Sequence, residues 1–215
     1  MLFLDIKSFP VGALWTNCYV VYNDSRDAII VDPGGSMGEV REFLTANDLK
    51  LRWILITHGH SDHILGLGEV RALASDGIAI HSEDSACLTD ANKNLSSLLG
   101  YPTTFDSAER VVKDGDEFDV GSMKIRVLFT PGHTSGGCCF YVTEGAEELL
   151  LSGDTLFART IGRTDLPGGD EGVLIRSLEK LSILPDSLCV YPGHGPDTTI
   201  GDERRLNPYW PRSTT

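Results

Sequence analysis

Three of the six histidines in this 215-residue chain fall in one string, Thr57-His58-Gly59-His60-Ser61-Asp62-His63, directly after the apolar run RWILIT (52–57). By residue frequency alone, a His-x-His-x-Asp-His string in a chain this size has a probability on the order of 10⁻³ or less, so the signal is specific. The apolar run reads as a strand and the residues from about 63 to 75 as a helix, with Asp62 near its N-terminus. In an extended segment His58 and His60 point the same way. Asp62 and His63 then come from the turning backbone, where they can face a second ion.

An internal echo surrounds this unit. NCYVVYNDSRDAIIVDPG (17–34) pairs two apolar runs across a polar turn and ends in Asp32-Pro33-Gly34; CCFYVTEGAEELLLSGD (138–154) does the same and ends in Gly153-Asp154. Both read as β-hairpins with a carboxylate just past the second strand. A helical pattern follows each, over roughly 36–46 and 170–184. GIAIH (77–81), KIRVLFT (124–130) and SLCVY (187–191) add further strands. The expected architecture is two stacked mixed sheets covered by helices on both outer faces. The segment 82–109 is the least regular. It holds a helix-like stretch, LTDANKNLSSLLG (88–100), and reads equally as a lid over a site or as surface decoration.

His133, Asp154 and His194 each lie just beyond an apolar strand, in TPGH, SGD and PGH. Strand ends that open on one edge of a sandwich converge on one crevice, where open α/β sheets place ligands. Three neutral imidazoles, His58, His60 and His133, suit a borderline metal and leave it an open position. Asp62, His63 and His194 suit a second ion, and the two oxygens of Asp154 can bridge both. Two such ions at roughly 3.5–4 Å hold a hydroxide and lower the pKa of bound water toward about 7. No Gly-x-Ser-x-Gly nucleophile elbow is present. The expected cofactor is one or two divalent transition metals, zinc foremost, with iron or manganese as alternatives. Asp32, counterpart of Asp154 in the echo, is expected to accept from a His N–H and orient the metal loop.

The balance of charge narrows the partners. With 31 acidic and 18 basic residues the formal net charge is -13, which argues against nucleic acid, whose backbone is bound by Lys and Arg. A small-molecule substrate is expected instead. No run is long and apolar enough for a membrane span, and MLFLDIKSFPVG does not read as a signal peptide. The five scattered cysteines read as buried free thiols of a cytoplasmic protein. Cys138 and Cys139 alternate across a strand, so only one of them is expected to face the core. His81 reads as a core or supporting residue, and Trp15 and Phe157 as pocket walls or packing.

His58, His60, Asp62, His63, His133, Asp154 and His194 together resemble the metallo-β-lactamase-fold hydrolases along essentially the whole chain. TPGHTSG (130–136), SGDTLF (152–157) and PGHG (192–195) resemble the glyoxalase II (hydroxyacylglutathione hydrolase) group. GRTDLPGGD (162–170) and GPDTTIGDERRLNP (195–208) are similar to its short, single-domain bacterial relatives. The resemblance implies an α/β (α+β) chain folded as one αββα sandwich over 1–215, the seven metal ligands just named, and hydrolysis of a thioester such as S-D-lactoylglutathione by attack of hydroxide held on the metal, with Asp62 handling the proton.

The chain also departs from that group. About twenty residues follow His194, too few for the C-terminal helical domain that completes the glutathione site in two-domain enzymes. Gly195-Pro196 stands where those enzymes carry a tyrosine. Arg163 falls where the family places a basic residue near the glutathione tail, but Asp165 replaces the aromatic residue two positions on. Arg163 is therefore expected either to bind a substrate carboxylate or to pair with Asp165 or Asp170. GRTD further resembles the persulfide dioxygenases of the superfamily, which implies, as the second reading, a single iron on His58, His133 and Asp154. Class B β-lactamases are exported, and the nuclease branch carries an inserted nucleic-acid-binding domain, so neither is expected here.

Overall fold

The N-terminal half begins with three strands, an edge strand with exposed polar residues and two that are buried on both faces. In the computed structural model, which describes residues 3–211, β1 (Leu4–Val11), β2 (Thr16–Asn23) and β3 (Asp27–Val31) form an antiparallel meander. The turn between β2 and β3 closes where Arg26 takes a left-handed backbone (φ 66) and donates to the Asn23 carbonyl at 2.9 Å. The chain then crosses through α1 (Gly38–Ala46) into β4 (Lys50–Ile56), which lies parallel to β3, as do β5 (Gly77–His81) and β6 (Arg110–Val112) in succession. The first sheet therefore runs β1-β2-β3-β4-β5-β6 in chain order.

The C-terminal half repeats this plan. β7 (Glu117–Val120), β8 (Met123–Phe129), β9 (Cys138–Glu144) and β10 (Glu147–Gly153) pair antiparallel. A small ribbon, β11 (Leu156–Phe157) with β12 (Thr160–Ile161), follows. The crossover through α4 (Glu171–Leu181) leads to β13 (Cys189–Pro192), parallel to β10. β14 (Thr198–Thr199) and α5 (Ile200–Leu206) complete the order β14-β13-β10-β9-β8-β7. The echo is thus two hairpin-helix-parallel-strand units, each with Asp32 or Asp154 after the hairpin and His58 or His194 after the next strand.

Alternation sends successive residues to different cores. Val20, Ala28, Ile30, Ile54 and Ile56 pack under α1 and the helices after the histidine string. Val21, Ile29, Val31 and Leu55 face Ile125, Val127, Phe140 and Leu151 across the sandwich. Leu150, Leu178, Leu181 and Val190 pack between the second sheet and α4. This is the metallo-β-lactamase fold, two mixed sheets flanked by helices, as expected. As alternation requires, only Cys138 joins the central core; because the sheet is covered on both faces, Cys139 is buried in the outer one. All five cysteines are free, with Cys87 and Cys189 half-buried. No helix among the described residues is long and apolar enough to cross a membrane.

Two expected helices differ. In place of one helix over about 63–75 there are α2 (Ser61–Ile64), α3 (Leu67–Val70) and a 3-10 turn at Arg71–Leu73. Gly66 breaks the run because its N–H donates to the Pro33 carbonyl at 2.7 Å rather than to its own helix. The stretch 88–100 forms turns, not a helix. There the side chain of Asn94 donates to the carbonyls of Cys87 and Thr103 and accepts from Ser96 N, Asp90 accepts from Asn92 N, and Leu95 is left-handed (φ 68). Short polar side chains that bond nearby backbone compete with helix formation.

Candidate metal centre

β4 ends at Ile56, and the next residue is tied to Asp32 twice. Thr57 N donates to Asp32 Oδ1 at 2.8 Å and Thr57 Oγ1 donates to Oδ2 at 2.6 Å. The ring of His63 donates from Nδ1 to the same Oδ2 at 2.9 Å. With its proton committed to Asp32, the Thr57 hydroxyl accepts from His58 Nδ1 at 3.2 Å. One buried carboxylate therefore orients His63 directly and His58 through a hydroxyl, committing Nδ1 of both rings and turning Nε2 of both toward the cluster. His133 is fixed in the same sense: its Nδ1 donates to the Arg163 carbonyl at 2.7 Å.

The free nitrogens converge. His133 Nε2 lies 3.2 Å from His58 Nε2 and 3.0 Å from His60 Nδ1. Asp154 Oδ2 is 3.5 Å from His133 Nε2, and its Oδ1 is 3.5 Å from His63 Nε2. His63 Nε2 is also 3.5 Å from Asp62 Oδ2, to which His194 Nε2 comes within 3.4 Å. Three groups have ligand atoms mutually within 4.8 Å: His58, His60 and His133; His58, His63 and Asp154; Asp62, His63 and His194. All seven residues named from the sequence are thus brought to one end of the sandwich. The His194 turn is held there by the first sheet, since Asn17 N donates to Gly193 O at 2.7 Å, and its side chain donates to the carbonyls of Pro192 and Gly195. Gly193 leaves no room for a side chain, because a Cβ would sit 2.2 Å from Asp154 Oδ1.

Such a packing of lone pairs is unfavourable unless something positive lies among them. His63 Nε2 and Asp154 Oδ1 are buried without a hydrogen-bond partner among the described residues. Burial, with neighbouring histidines adding to it, holds His58 far below its ordinary range and His60 down to about 3, so both present neutral rings. At His63 burial works the other way from the carboxylates, and Asp62, Asp154 and Asp32 together raise it to about 10. His194 is likewise raised despite burial, chiefly by its hydrogen bond to Asp62 and by Asp154. Burial pushes Asp62 up, but His63 and His194 outweigh it and hold the carboxyl well below its usual range. The donor set, imidazole with carboxylate and no thiolate, fits a divalent transition metal in both groups.

Other residues singled out from the sequence lie as follows. Arg163 is exposed, and its guanidinium pairs in a fork with Asp165 at 2.7 and 2.8 Å. His81 stacks on Phe129 at 4.2 Å, away from the cluster. Phe157 packs edge-on to His194 at 6.1 Å, whereas Trp15 is 73% exposed on a left-handed backbone (φ 56). Its neighbour Thr16 donates to Asp62 Oδ2 at 3.1 Å. Sequence reasoning missed Thr57, Thr16 and Asp84 as partners of the cluster. Adjacency to the histidine string was a signal for Thr57; Asp84 carried none.

Comparison with known proteins agrees with this geometry. The metallo-beta-lactamase superfamily pattern matches residues 11–194. The chain belongs to the metallo-beta-lactamase superfamily. Among superfamily relatives, an uncharacterized protein of Mycobacterium leprae is 45% identical over 95% of this chain and 97% of its own. The hydroxyacylglutathione hydrolase GloC of Haemophilus influenzae is 32% identical over 96% and 98%. Of solved superfamily structures, the BLEG-1 B3 metallo-beta-lactamase superposes with a TM-score of 0.90 at 39% identity, covering 96% of this chain and 99% of that one. TTHA1623 in a di-iron-bound form gives 0.81 at 31%, covering 94% and 99%, and ETHE1 from Myxococcus xanthus 0.76 at 28%, covering 95% and 83%. Membership and the His/Asp cluster together make this a divalent-metal protein with a metallo-hydrolase fold.

Proposed function

We propose that the chain, as one domain, is a two-metal hydrolase acting on a thioester of the acyl-glutathione type or a related acyl-thiol. The observation that carries this is Asp154, which lies between the two histidine groups: Oδ2 is 3.5 Å from His133 Nε2 and 3.6 Å from His194 Nε2, and Oδ1, buried and without a hydrogen-bond partner among the described residues, is 3.5 Å from His63 Nε2. In this reading His58, His60 and His133 would hold the first ion and Asp62, His63 and His194 the second, with Asp154 available to both. A divalent metal bound there supplies Lewis acidity and a water that ionises near neutral pH. Zinc is the first candidate; a similar protein is described in a di-iron form.

The protein's own residues have definite tasks. Asp32 and the Arg163 carbonyl hold three rings through Nδ1, with Nε2 turned toward the cluster. Asp62, held anionic and 20% exposed, is the acceptor for the proton of the attacking water when the second group holds no ion. Cys138, Cys139 and Cys87 do not compete as nucleophiles: burial raises the Cys138 thiol far above its ordinary range and Cys139 to about 11, and Cys87 is raised to about 12 for the same reason. A thiolate leaves readily, so a thioester needs little proton donation to its leaving group. The likeness to GloC supports this substrate class.

Elemental analysis of freshly purified protein, with hydrolysis assays on a glutathione thioester, a neutral thioester and a β-lactam, tests the proposal. About two divalent ions per chain with thioester turnover is the expected result. β-Lactam turnover alone would transfer the activity of BLEG-1 to this chain. One iron per chain with oxygen uptake on glutathione persulfide would select the dioxygenase reading, in which His58, His133 and Asp154 suffice.

A further inference from the structure

The ligand loops 57–63 and 130–137 leave different sheets and must be held at a fixed separation. Their backbones bond through Cys138 N to Thr57 O at 2.9 Å. A second tie comes from the segment after β5. Asp84, 3% exposed, accepts on Oδ2 from Gly59 N at 2.8 Å and from Thr134 Oγ1 at 2.8 Å, and on Oδ1 from Gly136 N at 2.7 Å. Gly59 lies between His58 and His60, and Thr134 follows His133. One carboxylate is thus bonded to both loops. The approach is close: a Cβ on Gly136 would lie 2.5 Å from Asp84 Oδ1, and one on Gly59 2.3 Å from Cys87 Cβ. From the same segment, the Asn94 carbonyl accepts from Ser61 N at 2.8 Å, on the other side of His60.

We propose that Asp84 is a positioning residue for the metal centre, setting His60 Nδ1 against His133 Nε2, and that the segment 82–109 is a buttress of that centre rather than a lid. A buried carboxylate is costly unless its oxygens are satisfied, and three donors from two ligand loops satisfy this one. The bonds restrict both loops before an ion arrives, so less order has to be imposed on binding. This inference rests on the metal assignment proposed above.

The test titrates metal-free wild type and Asp84→Asn with Zn²⁺ against a chromophoric chelator, and records the visible spectrum with Co²⁺. Asparagine keeps the size but places an NH₂ where one oxygen accepted, so at least one loop is released. The expected result is affinity about 10- to 100-fold weaker and an altered Co²⁺ spectrum, with the far-UV circular dichroism of the metal-free protein unchanged. Thr134→Val leaves both backbone bonds in place and should weaken binding by a smaller factor; it replaces Asp84→Asn if that variant does not fold. Unchanged affinity and spectrum would overturn the proposal, even where thermal stability falls, since that marks a loop tie alone. A wild-type protein that binds neither ion would instead overturn the metal assignment.

Discussion

Asp32 carries three donors on two oxygens and does so from a left-handed backbone, φ 52. Non-glycine residues in that region are held there by their surroundings and gather at functional sites. Here the surroundings are Thr57 and His63, so the strain and the aim of the ligand loop are coupled. Asp62 differs, since it faces both the second histidine group and solvent. Asp62→Ala should lower thioester hydrolysis by roughly 100-fold or more and reduce bound metal from about two ions toward one, read by elemental analysis alongside the assay. Retention of two ions with full activity would remove Asp62 from the ligand set. At the exposed rim, Arg163 is occupied by Asp165. Asp165→Asn should free the guanidinium and lower KM for a glutathione thioester by about two- to fivefold, the modest range of exposed ion pairs, with kcat and the KM of a neutral thioester unchanged. A KM that rises or stays constant would show that Arg163 does not meet the substrate.

Elements were readable from the sequence where pattern alone decides them. The hairpins 17–34 and 138–154 declare themselves by apolar runs around polar turns, and α4 by its spacing of leucines. The two misread helices fail for tertiary reasons: Gly66 gives its N–H to Pro33, and the 88–100 stretch spends its polar side chains on local carbonyls. β1 went unread because it is an edge strand whose apolar pattern is interrupted by the exposed Lys7 and Ser8. The proposed ligands were legible because histidine is rare and all seven residues follow apolar strands or sit in one string. Asp84 was not, because its donors lie 25 to 52 residues away in other loops. A smaller tie of this kind fixes β5, where Glu109 accepts from Ile78 N at 2.8 Å and from Arg71. Burial pushes the Glu109 carboxyl up, but these donors outweigh it and lower it from 4.5. With the folded value below the unfolded one, the stabilisation is present above about pH 4.5 and is lost as pH falls through the folded value. The urea midpoint of Glu109→Gln should therefore lie below that of wild type at pH 7, with the gap narrowing as the pH is lowered below about 4.5; a gap that does not change with pH would refute the link.

On the scale of the whole molecule, each half supplies one sheet, one carboxylate after a hairpin and one histidine after a parallel crossover. The centre lies where the two halves meet. An ion that binds only the folded chain stabilises it by about 4 kcal/mol when free metal is a thousandfold above Kd. For a chain of this size that corresponds to a rise of roughly 10 °C in Tm. Chelation followed by a thermal melt should show such a drop, and an unchanged Tm would mean that metal contributes nothing to the folded state.

The turn Lys113–Asp116 is where the first sheet ends and the second begins. A chain cut there would leave His58, His60, Asp62 and His63 on one fragment and His133, Asp154 and His194 on the other. Neither fragment owns the whole proposed ligand set, so an ion held by it would work as a detachable clasp between two pieces of nearly equal length. Mixed fragments should reassemble when metal is added and part again with chelator, the association constant reporting directly on the strength of the clasp.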